Sequence, residues 1–395
     1  MNTTAAGRLP FLDGLRVAAF ALLIPFHVGM YYVTWDWHVK SPNASAALEP
    51  FMMLSTPWRL GLLFLIAGAA CQDLAVRRGV WGAVRDRSVR LLLPLVFGMA
   101  VIVPPQTYYE VLTKAPALLP GDGSYLAFWR PYLHGGRFCG SAVCVDVPTW
   151  NHLWFLPYLW LYAVLGILIS AVVRLKGSVD GWPTWTWLLV PAVPLAIARV
   201  FVFPHHPSTH NLTADLYNHL QYGLLFAVGW ASRTPLAKGL WPSALKLRWV
   251  ALGLSLLGWA ALVAFSQAYA VASPPQPLLD AVRGLRGSLT WWAILAACGW
   301  SQRAFTGQSA WLRQASAGVF CFYILHQTLI VVLSQWLSPL RLHWGIEGLA
   351  LILLTGGLSW LAYQGLRRMP WICTLFGIRY ASRTSQPVDL GFHRG

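Results

Sequence analysis

The sequence predicts an all-α protein, a polytopic membrane helix bundle of about ten transmembrane helices. Three observations carry that expectation. Of 395 residues, 57% are hydrophobic and only 11% are charged, whereas a soluble domain carries about 25% charged residues. Several apolar runs exceed the roughly 18 residues that mark a membrane span. The mean hydropathy is positive, at +0.53, and the chain holds 23 Trp, a residue that collects at membrane interfaces.

Apolar segments fill most of the chain and leave no room for a large soluble domain. The net charge of +16 raises nucleic acid as a partner. The basic residues, however, sit in short loops between apolar runs, where topology signals and anionic lipid contacts place them. The expected partner is therefore the lipid bilayer, with no nucleic acid.

The spans run at about 12–34, 51–74, 91–109, 150–173, 184–203, 215–231, 249–271, 287–301, 316–337 and 345–365. The first lies in RLPFLDGLRVAAFALLIPFHVGM, Arg8 to Met30. No small-residue cleavage site follows it, so it is expected to remain as a helix. The eighth is short and follows SPPQP, which suggests a tilted or partly re-entrant segment. An even count puts both termini on one side, and Lys and Arg choose the side. Of the 29 basic residues, 19 fall with the termini and seven opposite; Arg16, Arg59 and Arg199 lie within spans. Both termini are therefore expected in the cytoplasm. The transmembrane domain is expected over 1–376, with a polar cytoplasmic tail at 377–395, and the long loop 110–149 lies outside.

That loop holds Cys139 and Cys144 in CGSAVC, which can close a local disulfide on an oxidising side. A zinc site there has only His134 and His152 as further donors. The tract FPHHPSTH (His205, His206, His210) is metal-like in composition but Pro-broken and without Cys. No metal is expected.

Candidate chemistry starts with Arg16 and His27. They are eleven residues apart, so they share one helical stripe about 16 Å long. Arg16 reads as a snorkelling cation paired with Asp13, or as a holder of an anionic group at the cytoplasmic mouth. His27 lies too deep to snorkel. It reads as a core histidine bonded to a neighbouring helix, or as a general base able to take a proton from a hydroxyl. Arg59, in TPWRLGLLFLIAG, lies about 12 Å deep at the level of His27. It snorkels outward or lines a polar cavity in the outer half. Arg87 and Arg90, spaced i, i+3, are topology determinants or a phosphate clamp. In VPPQTYYE, Gln106, Tyr109 and Glu110 end the third span. Glu110 is a solvated loop residue, or it binds a sugar hydroxyl or assists proton transfer. WNHLWFLPYLW places His152 at the outer edge of the fourth span. FCFYILHQ places Tyr323 and His326 in the ninth, where His326 pairs helices or joins the cavity. GxSxG, P-loop, HExxH and GxGxxG motifs are absent.

LDGLR ending at Arg16, ten residues, then His27 within PFH resembles the Arg-x10-His signature of the membrane acyltransferase-3 family. RLGLLFLIAG resembles its second-span stretch, RSVRLLLPL its Arg-x2-Arg segment, and HLWFLPYLW and YILHQ its later landmarks. The resemblance runs in order over nearly the whole chain. VPPQTYYE and WRLGLLFLIAG lean towards the subgroup that includes the succinyltransferase of osmoregulated periplasmic glucans. The resemblance implies a ten-span enzyme of the cell inner (plasma) membrane. It implies transfer of an acyl group, acetyl or succinyl, from cytoplasmic acyl-CoA to a hydroxyl of an extracytoplasmic saccharide. His27 matches the family's catalytic histidine, and Arg16, Arg87 and Arg90 match arginines that engage the donor. Acyl-CoA enters as substrate, with no further cofactor. Ala67 departs from the family's usual Ser, which puts a serine role there in doubt. No attached esterase-like extracytoplasmic domain is expected. The rival reading is a transporter or flippase of a lipid-linked or acidic solute, which also suits intramembrane Arg and His; no inverted halves are visible.

Overall fold

The computed structural model describes residues 9–140, 144–173, 182–307 and 309–378. Helix α1 (Pro10–Tyr32) opens with Pro10, whose missing N–H is no loss in a first turn, and Asp13 complements the positive helix end. A short α2 (Glu49–Ser55) leads to α3 (Arg59–Phe97). Helical geometry in α3 breaks at Gly79, with φ 68° and ψ 177°, a conformation that glycine adopts without a Cβ penalty. The second and third expected spans are thus two arms of one element. A π turn (Gly98–Ile102) carries α3 into α4 (Pro104–Lys114). Pro104 and Pro105 cannot donate backward, and the widened turn absorbs the lost bonds.

The loop expected outside is structured. Helix α5 (Tyr125–His134) buries Phe128 and Tyr132, and strands β1 (Gly136–Cys139) and β2 (Cys144–Val147) form an antiparallel hairpin. Cys139 pairs with Cys144 in register and the two form a disulfide. A 3-10 turn (Asn151–Trp154) runs into α6 (Phe155–Val172). The fifth expected span is pieced together from α7 (Thr186–Leu189), α8 (Ala192–Ile197) and a second π turn (Ala198–Val202). Pro191 and Pro194 remove the donors a continuous helix needs. Then follow α9 (Leu216–Ala231), α10 (Leu240–Ala268), α11 (Gln276–Ala304), α12 (Ala310–Leu337), α13 (Trp344–Leu366) and a short α14 (Pro370–Cys373).

Every expected span is helical, and the molecule is a helical membrane protein. The count of about ten needs correction, because among the described residues six helices are long and apolar enough to cross a membrane. The second and third spans fuse into one apolar stretch, Ala46–Lys114, and Thr186–Val202 is short. Helix α9 has 16 residues. Helix α11 carries Asp280, Arg283, Arg286 and Arg303. It is also not the short, re-entrant piece expected after SPPQP. It runs unbroken for 29 residues, with Pro277 in its first turn.

Helices α3 and α9 meet at two glycines. A Cβ on Gly68 would lie 2.0 Å from Phe226 O, and one on Gly229 would lie 1.9 Å from Leu65 O. In lipid, helices gain little from burying apolar faces, so such close backbone approach supplies the packing. Helix α12 lies between α1, α13 and α4 and faces the centre. Gly377 and Ile378, placed in the tail by the sequence, pack as buried residues. The remaining tail, 379–395, lies outside the described residues.

Candidate active site

Helices α1 and α12 bring His27 and His326 together, with ring centroids 4.9 Å apart. Their neighbours set their tautomers. A carbonyl oxygen only accepts, so a ring nitrogen facing one carries the proton. His326 Nδ1–H donates to Tyr323 O at 2.7 Å, which leaves His326 Nε2 as an acceptor. His27 Nδ1–H is shared between Leu23 O at 2.9 Å and His326 Nε2 at 3.2 Å. His27 Nε2 then carries a free lone pair on a half-buried ring. Two helices hold that ring in place, and its second nitrogen can take a proton.

His152 joins this centre instead of lying at the outer edge. It is 7% exposed, and its ring stands edge-on to His326 at 5.3 Å. His152 Nε2–H donates to Ile324 O (3.0 Å), and Nδ1 accepts from the Gln106 amide (3.2 Å). Tyr323 donates to His152 O at 2.6 Å. From there polar contacts lead outward. Gln327 Nε2 donates to Gln106 Oε1 (3.0 Å) and to His38 Nε2 (2.9 Å). His38 Nδ1–H donates to Glu110 Oε2 at 2.6 Å, and Lys114 bridges Glu110 and Asp36.

Glu110 is thus no isolated solvated acid; it forms a dyad with His38, linked to the histidine centre through two carboxamides. His38 and Gln327 are additions to the sequence reading. The signal for Gln327 was in plain view beside His326 in YILHQ. His38 sits in the loop after α1, where periodicity is silent. Tyr109 points elsewhere and packs against the apolar cluster of Ile24, Val28 and Tyr31.

Arg59 reaches the same level. It is 7% exposed, and its guanidinium lies 3.2 Å from the Phe26 ring centroid, next to His27. The structure therefore brings together His27, His326 and Arg59. It keeps the other arginines at the opposite end. Arg16 pairs with Asp13 at 2.9 Å and donates to Ser316 on α12. Arg90 donates to Gly377 O at 3.4 Å, and Gly377 packs on Phe320, one turn from Ser316. Arg87 lies against buried Cys71. One end of the bundle gathers three guanidiniums. The middle holds an oriented imidazole with a cation beside it. Such a set can hold an anionic donor, deprotonate a hydroxyl and stabilise an oxyanion.

A sequence profile described as an acyltransferase domain matches residues 9–364. Among curated proteins, Glucans biosynthesis protein C of Escherichia coli O81 (strain ED1a) is 22% identical over 395 residues, covering 95% of this chain and 96% of that protein. Proteins of the same name are 27% identical over 178 residues in Escherichia coli K12 / DH10B and 28% over 180 residues in strain SMS-3-5 / SECEC. Each of these two alignments covers 44% of this chain and 42% of the relative. No solved structure matches.

Proposed function

The chain belongs to this acyltransferase family, and from that premise we propose that it moves an acyl group from cytoplasmic acyl-CoA to a hydroxyl of an extracytoplasmic saccharide. Resemblance to Glucans biosynthesis protein C makes a glucan the first acceptor to try. In this reading the donor's phosphates rest on Arg16, Arg87 and Arg90, and the thioester reaches up towards His27. The acceptor arrives from outside, past His38 and Glu110. His27 Nε2 takes the hydroxyl proton as the oxygen attacks the thioester carbon. Arg59 stabilises the tetrahedral oxyanion. The C–S bond then breaks, and His27 returns its proton to the CoA thiolate. The inner membrane and cytoplasmic termini complete the proposal.

The observation that carries the reading is His27 Nδ1 held between Leu23 O and His326 Nε2, on the residue next to Phe26, whose ring stacks on the Arg59 guanidinium. Purified protein given acyl-CoA and glucan should release free CoA thiol and acylated product, whereas a transporter consumes no thioester. His27→Ala should lower the rate about 10²- to 10⁴-fold, the usual loss with a general base. Transfer by that variant at the wild-type rate overturns the proposal.

A further inference from the structure

A second pair of charges lies away from the histidine centre. Arg286 of α11 and Glu49 of α2 line one cavity of about 360 Å³, with Trp35, Met53, Leu262 and Ser266 in the same wall. The segment 49–57 is fixed to both neighbouring helices. Trp259 Nε1 of α10 donates to Pro50 O at 2.7 Å, and the Thr290 hydroxyl of α11 donates to Pro57 O at 3.2 Å. The space between α2, α10 and α11 is therefore bounded by anchored backbone. Its size admits a small polar molecule rather than one water.

Opposite charges on one cavity wall ordinarily pair, yet among the described residues no ion pair joins these two. Asp280, on the same helix as Arg286, is taken by Arg283 at 2.9 Å. The Arg286 guanidinium makes no hydrogen bond or ion pair with any described residue. Glu49 Oε1 accepts from the Thr34 amide at 3.2 Å and from its hydroxyl, which leaves Oε2 without a donor among the described residues. Lys40 lies within range of the Glu49 charge, but its ammonium donates to Met30 O at 2.7 Å and Val33 O at 2.8 Å. Unmatched charge in such a setting is costly. A simple anion on Arg286 faces the Glu49 carboxylate, and a simple cation on Glu49 faces the guanidinium. A zwitterion answers both. Phosphate oxygens fit the guanidinium fork two at a time. A primary ammonium supplies N–H donors to Glu49, and an indole in the wall suits a cation.

We propose that the Arg286–Glu49 cavity binds a zwitterion of the phosphoethanolamine type, with its phosphate on Arg286 and its ammonium on Glu49. A membrane lipid is the first carrier to try. The stretch Ala46–Lys114 and helix α10 are both apolar enough to cross a membrane. Met53 and Leu262 give the cavity an apolar side, and Phe51, two residues from Glu49, is 68% exposed. The inference goes beyond acyl transfer and is read by binding alone.

The test uses the full chain, delipidated in detergent, with native mass spectrometry as the readout. One arm adds phosphatidylethanolamine, phosphatidylcholine or phosphatidylglycerol of identical acyl chains; the other adds free O-phosphoethanolamine. Phosphatidylethanolamine should bind at least about tenfold tighter than the other two lipids, because choline has no N–H for Glu49 and phosphoglycerol carries no cation. Glu49→Gln should erase the preference over phosphatidylglycerol; weakening of all three lipids alike would mark a merely structural residue and overturn the assignment. Arg286→Gln should lower phosphatidylethanolamine binding about tenfold, as expected when charge-assisted hydrogen bonds are lost. If that variant does not fold, Arg286→Lys keeps the charge, loses the fork, and should weaken binding in the same direction. Preference for the lipid alone assigns a lipid source, and saturable binding of free phosphoethanolamine assigns a soluble one. Equal binding of the three lipids without binding of the free zwitterion, or binding unchanged in the variants, overturns the site.

Discussion

At the residue scale, the site rests on hydrogen-bond direction. His326 accepts from His27 only while Tyr323 O holds the proton on its other nitrogen. His326 is therefore a positioning residue. His326→Phe should lower kcat about tenfold or more while KM for acyl-CoA stays near its wild-type value, since an interaction that orients the base is felt in the chemical step. Steady-state kinetics at varied donor concentration separate the two constants. A second residue-scale prediction concerns pH. His210 stacks on Trp154 at 4.0 Å, its Nε2 meets Ser208 Oγ at 3.2 Å, and Trp150 Nε1 donates to its carbonyl at 3.0 Å. Burial lowers the pKa of this imidazole below its ordinary 6.5, and the Asp215 charge opposes the shift only in part. A depressed folded value means that the unfolded loop binds the proton more readily. Docking of the loop at residues 204–214 is thus fully favoured above about pH 6.5 and weakens as pH falls towards the folded value. Hydrogen exchange in that loop, corrected for intrinsic rates, should quicken between pH 7.5 and 5.5. In His210→Gln the pH dependence should vanish. His27, Arg59 and His326 were legible as costly polar residues in apolar runs. Their partners were not, because contacts such as His38–Glu110 join residues 72 positions apart and no local pattern encodes them.

At the element scale, the decisive features are places where backbones touch or ladders break. Gly68 and Gly229 let α3 and α9 cross with no side chain between them. Gly229→Leu must push the helices apart, and overpacking of this kind costs about 1–3 kcal/mol or more. Its melting temperature in detergent should fall clearly below wild type, while Gly253→Leu, at a position with open space around it, should leave it nearly unchanged. Helix positions were readable from hydropathy, since length and apolar content suffice for that. Helix continuity was not. Two π turns, the Gly79 break and the pieced α7–α8 segment depend on prolines and packing that act against a uniform hydrophobic signal. The hairpin and α5 escaped for a related reason: they are short, polar at many positions, and held by a disulfide whose formation composition alone leaves open.

At the scale of the whole molecule, the charge asymmetry of the loops predicts an orientation under the positive-inside rule. A single cysteine placed at Asn43 should react with a membrane-impermeant maleimide on intact cells, and one placed at Lys238 should react only after the membrane is opened. The reverse pattern would invert the route proposed for the donor. The order of the chain in space follows from the sequence, whereas the meeting of α1, α4, α6 and α12 around the histidines is a product of packing. The amide bridge of Gln106 and Gln327 has a consequence for the energetics of the cell. Polar groups that extend from the membrane interior towards one face threaten to short-circuit the ion gradient. Carboxamides fix the orientation of neighbouring rings but exchange no proton at physiological pH. The reaction proposed here takes one proton from a hydroxyl and gives one to a thiolate, so it needs no wire to either compartment. Gln106 and Gln327, set between the inner histidines and the Glu110 end, act as insulators that give the proton no route along this polar chain.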